Sequence, residues 1–71
     1  MTVPTPEDLK ENDPPLMIIS ILGDLRAKEK FYRDSNRPGE RHAMRVAQHI
    51  VWTRFKDPGY AGEYDSGWSE L

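Results

Sequence analysis

Leu16-Met17-Ile18-Ile19-Ser20-Ile21-Leu22, followed by Gly23-Asp24, is the stretch on which the fold turns. Its isoleucines and the glycine that closes it suit a buried strand ending in a turn. It also suits the opening of a helix, because apolar residues continue beyond it at helical spacing. Ile18, Ile21, Leu22, Leu25 and Tyr32 fall on one side, while Arg26, Lys30 and Arg33 fall elsewhere. The spacing therefore predicts a long helix from Pro14 to Arg33, with a short strand at 16–22 as the alternative.

Upstream, Thr5-Pro6-Glu7-Asp8 has the composition of a helix start: a capping threonine, a proline preset for the first turn, and acids at the positive end of the helix dipole. A short helix over Pro6 to Glu11 is expected, broken by Asn12-Asp13-Pro14-Pro15. Downstream, Ser35-Asn36-Arg37-Pro38-Gly39 is a turn by composition, and Pro38 opens a second long helix to Lys56, ended by Asp57-Pro58-Gly59. At 100° per residue, Ala43, Met44, Val46, Ala47, Ile50, Val51 and Phe55 share one half of that helix, which we take as its core face. The core is expected to join Ile18, Ile21, Leu22 and Leu25 to Ala43, Ala47, Ile50 and Val51. The fold class is thus mainly α: one small helical domain over residues 1–57, then an acidic, aromatic, glycine-rich tail over 58–71 that is expected to be mobile.

Seventy-one residues with 37% hydrophobic and 31% charged content allow one small core and leave little room for a preorganised catalytic cleft. The absence of cysteine excludes a disulfide framework and thiolate zinc sites. The longest apolar run is too short to span a bilayer, and the segment before it is acidic where a signal peptide would be basic, so a cytoplasmic protein without membrane attachment is expected. The net charge is −2 but it is segregated. Residues 1–25 carry five acids against Lys10, residues 26–56 nine bases against three acids, and residues 57–71 four acids and no base. Such segregation steers an oppositely charged partner.

Chemistry-bearing motifs are absent. His42 and His49 stand two turns apart, roughly 10 Å along a helix, too far to share one metal. The serines lack a nucleophile elbow, and no phosphate-cradling glycine loop occurs. Neither enzymatic activity nor a cofactor or metal is expected. The positive signal is the other half of the second long helix, where Arg41, Arg45, His49, Trp52 and Lys56 gather with His42. Arginine beside tryptophan is a hot-spot composition, so these five residues are the candidate partner-binding site, with Trp52 exposed. On that placement Trp52→Ala would weaken binding and leave the fold intact; the alternative is a tail folded back over Trp52. A protein partner and a monomeric state are expected. A helix-turn-helix that reads nucleic acid is the alternative, weakened by the acids flanking the basic segment.

The short acidic opening Met1-Thr2-Val3-Pro4-Thr5-Pro6-Glu7-Asp8-Leu9, the charged helical middle and the acidic aromatic tail resemble small bacteriophage-encoded regulators of host transcription. The resemblance covers size and charge layout along the whole chain and includes no diagnostic motif, so no residue role follows from it. It implies binding to bacterial RNA polymerase in the host cytoplasm, with inhibition of transcription or antitermination as the outcome. Anti-defence proteins that bind another host complex share the same general features.

Overall fold

The computed structural model describes residues 2–59, which form three helices: α1, Pro6–Asn12; α2, Leu16–Asp34; and α3, Pro38–Lys56. No strand occurs among the described residues, so the 16–22 stretch is helical. Nor is any helix among them long and apolar enough to cross a membrane. The expected tail lies outside the described residues from position 60 onward.

Local chemistry explains the helix ends. Thr5 Oγ1 accepts from the Asp8 amide at 3.2 Å, and the Asp8 carboxylate accepts from the Thr5 amide at 3.0 Å, a reciprocal box with Pro6 in the first turn. The Thr5 amide first, and then the Thr5 hydroxyl, which donates to Asp8 Oδ2 at 3.1 Å, hold the Asp8 carboxyl below its ordinary value, and the charge of Lys56 adds to them. Helix α1 stops where Asp13 turns left-handed at φ 45°. Helix α2 starts at Leu16, two residues after the expected Pro14. A residue that precedes proline is pushed out of the α region, so Pro14 cannot be helical ahead of Pro15.

The link between the long helices is a three-residue turn. Asn36 adopts φ 56°, the Arg37 amide donates to the Tyr32 carbonyl at 2.9 Å, and the Asn36 amide donates to the Arg33 carbonyl at 3.2 Å. This is the Schellman pattern, in which asparagine tolerates the left-handed position. So short a turn returns α3 antiparallel to α2, and these two helices make the extensive helix–helix packing of the molecule.

The face of α3 that meets α2 differs from the expected one. Trp52, expected outside, is 3% exposed, and with Leu22, also at 3%, it forms the buried apolar centre. Gln48 is buried beside them at 2%. Ala43 and Ile21, both expected in the core, are exposed; Ile18, Leu25, Ala47, Ile50 and Val51 are half-buried. The inner face of α3 runs through Met44, Gln48, Trp52 and Phe55, about a third of a turn from the expected one. Area decides the phase. One tryptophan carries roughly 150–250 Å² of buriable surface, more than two alanines, so the orientation that hides Trp52 outweighs the one that hides the more numerous small residues. Phe55 stacks against it at 5.4 Å between ring centroids.

Trp52→Ala should therefore cost about 3–5 kcal/mol and Leu22→Ala about 2–5 kcal/mol. Either loss is comparable with the whole net stability of a domain this small. Thermal melts followed by circular dichroism should show Trp52→Ala largely unfolded at room temperature; a melt like that of the parent would place Trp52 outside the core.

Candidate functional site

The cationic half of α3 points into the molecule because α2 presents an acid to it. Glu29 lies on the inner face of α2 with a side chain only 14% exposed. Gln48 Nε2 donates to Glu29 Oε1 at 2.8 Å and to the Met44 carbonyl at 3.2 Å. Arg45 donates to Glu29 Oε2 at 3.0 Å, and Arg41 stands 3.8 Å from the same oxygen. Burial pushes the Glu29 carboxyl up, but the hydrogen bonds from Gln48 and Arg45 and the charges of Arg45 and Arg41 together outweigh it and hold the group below its ordinary value.

The five residues expected to bind a partner thus have separate placements. Trp52 is core. Lys56 sits with its ammonium 5.8 Å over the Trp52 ring, a cation–π contact. His49 holds the irregular N-terminal arm, residues 2–5: its Nδ1 lies 3.0 Å from both the amide nitrogen and the carbonyl oxygen of Thr2. Which of the two bonds forms depends on the tautomer of the ring. Of the five, Arg41 and Arg45 line an open cleft, and there they meet residues of α2 that were not among the candidates.

That surface is a cleft of about 730 Å³ between the arm, α2 and α3. Val3 to Pro6 form one wall, Arg26, Lys30 and Arg33 of α2 a second, and Arg41, Arg45 and Gln48 of α3 a third. Gly23 and Ala27 also line it. Five cations face one carboxylate, Glu29. Arg33 is paired with the neighbouring Asp34 at 3.4 Å, whereas Arg26 and Lys30 have no ion-pair partner among the described residues. Gly23 lies in the interior of α2, and a Cβ built there meets nothing within 4 Å. No packing contact within the described residues requires the glycine, although a mid-helix glycine costs about 1 kcal/mol relative to alanine.

The cleft offers charge and hydrogen-bond donors. Its one carboxylate is already engaged by Gln48 and Arg45, one hydrogen bond to each oxygen. Among the described residues no group of three or more His, Asp or Glu is placed to hold a metal ion. The spacing of Arg26, Lys30 and Arg33 repeats that of Arg41 and Arg45, and this was the available sequence signal for the second wall. What it lacked was the phase of α3, which brings the two basic rows to one opening.

No family model matches the chain, and no curated protein or solved structure matches it.

A carboxyl held below its ordinary value contributes stability above that value and loses it as pH falls through the lowered one. Glu29→Gln should therefore flatten the loss of stability between roughly pH 5 and pH 3, the range in which carboxylates protonate. The remaining acid sensitivity would come in part from Asp8. Melting curves at closely spaced pH values check this, and identical pH profiles for parent and variant would remove Glu29 from the account.

Proposed function

We propose that this protein is a small non-enzymatic binding module that takes an acidic segment of a larger protein assembly into the cleft between the arm, α2 and α3. The observation that carries the reading is the wall charge: five cations against a single, already engaged carboxylate, in a cleft also lined by Gly23 and Ala27, whose small side chains leave room for a bound chain. Charge complementarity of this kind selects orientation and accelerates encounter. Bacterial RNA polymerase, the partner implied by the resemblance to small phage regulators, is the first assembly to test, with inhibition or redirection of transcription as the consequence.

The helix-turn-helix alternative has less support. Its recognition helix would be α3, and Arg41 and Arg45 of that helix are turned toward Glu29 of α2. A groove-reading helix needs such side chains directed outward at base edges.

The test uses the tagged full chain in a bacterial lysate, with co-eluting proteins identified by mass spectrometry. Arg26→Glu with Lys30→Glu, both without an ion-pair partner among the described residues, should weaken capture at least tenfold and reduce its salt dependence, with the circular dichroism unchanged. Gly23→Ala should raise stability by about 0.5–1 kcal/mol and still weaken capture, because its methyl group enters the cleft. Recovery of nucleic acid alone, or capture indifferent to all three substitutions, would overturn the reading.

A further inference from the structure

Helix α2 carries a second pattern, on the flank away from the cleft. Met17, Ile21, Asp24, Lys28 and Phe31 follow one another at intervals of four, three, four and three residues. At 100° per residue they fall within about 80° of one another, a straight seam along the helix and on nearly the opposite side of it from the cleft wall. All five are exposed: Met17 73%, Ile21 39% and Phe31 60%, with Asp24 and Lys28 between them at the surface. Alternating four- and three-residue spacing is the repeat with which one helix lies along another. Within the described residues nothing lies along this one.

We infer that the seam pairs with the same seam of a second copy, antiparallel and about a two-fold axis that crosses α2 near Arg26. The pattern is complementary to itself in that arrangement. Asp24 comes opposite Lys28 of the second copy, and Lys28 opposite its Asp24. Ile21 comes opposite Phe31 of the second copy, and Phe31 opposite its Ile21. An isologous contact requires this reciprocity, in which each residue meets the one that meets it back. A parallel arrangement would set Asp24 against Asp24 and Lys28 against Lys28, which repels at both positions. Beside the seam a shallow groove of about 470 Å³, lined by Ile21, Leu25, Ala27, Tyr32 and Met44 with Asp24 and Lys28 also on its lining, gives the incoming Phe31 a seat with apolar walls. The small core supplies the driving force. A chain that fully buries only Leu22 and Trp52 among its described large apolar side chains leaves these residues to be covered by association. The dimer, in place of the monomer expected from sequence, leaves the cleft open in both copies. It therefore does not depend on the function proposed for the cleft, and it would offer an acidic partner two linked sites.

Sedimentation equilibrium of the full chain from about 10 µM to about 1 mM, a range that brackets micromolar-to-millimolar association, should show the mass rising from 8.2 kDa toward twice that value. Asp24→Lys and Lys28→Asp, each alone, should weaken association at least tenfold. An equimolar mixture of the two variants should recover it, because every acid of the seam then faces a base of the other chain. Both substitutions in one chain should also recover it, since the exchange reverses each pair without breaking it. Phe31→Glu should abolish association with helicity unchanged; if that variant fails to fold, the charge exchanges decide by themselves. A parent monomeric throughout the range, or association unaffected by either single charge exchange, would overturn the proposal.

Discussion

Glu29 sits where two 19-residue helices must be held side by side, and its carboxylate gathers Gln48, Arg45 and Arg41 from α3 around one buried-side point of α2. A carboxylate at that depth loses hydration, and only strong partners compensate it. Gln48 and Arg45 supply direct hydrogen bonds, and the two guanidinium charges favour the ionised form. The rest of the structure depends on this cluster. Together with the area of Trp52 it fixes the rotation of α3, which carries Trp52 inward four residues beyond Gln48 and leaves Ala43 outside. Removing one partner would expose the others to the desolvation cost that the cluster now meets jointly.

The same cluster builds the cleft. Arg41 and Arg45 reach Glu29 with side chains still 44% and 40% exposed, so each joins the two helices while presenting positive charge at the opening. Across from them the basic row of α2 supplies Arg26, Lys30 and Arg33. The arm closes the third side through the His49–Thr2 contact, which couples the N-terminal residues to α3 over 47 positions of sequence. Packing and the lining of the cleft therefore share residues on this flank, while the opposite flank of α2 keeps Met17, Ile21 and Phe31 exposed around Asp24 and Lys28, with nothing among the described residues lying along them. A domain this small buries a smaller fraction of its surface on folding than a larger one does.

Local chemistry in the chain was sufficient to place every helix to within two residues. The threonine cap with Asp8 three residues on, the Asn12-Asp13-Pro14-Pro15 break, the Asn36 turn and Pro38 at a first helical position each act through neighbours a few residues away. The start of α2 shifted from Pro14 to Leu16 for a reason equally local, the restriction that one proline places on the residue before it. The basic residues of the site were legible as residue types, although Arg26, Lys30 and Arg33 of α2 were read only as lying off the apolar side and not as candidates.

The rotation of α3 lay beyond any single-helix reading. Counting apolar positions favoured the face of Ala43, Ala47 and Ile50, because a wheel weighs each position equally and treats arginine as an outward residue. In the folded chain the contest is between pairs of faces. Trp52 brings more area than the two alanines combined, and Glu29 on α2 turns the arginine row from a solvated face into a contact face. By itself, then, the sequence determined the helix ends to within two residues and the short turn between the long helices, since caps, prolines and helical spacing act within a few residues, and it left 16–22 open between helix and strand. Which side chains are core, which line the cleft and which form the outward seam were decided only by tertiary structure, because burial and charge pairing between helices are properties of two surfaces meeting.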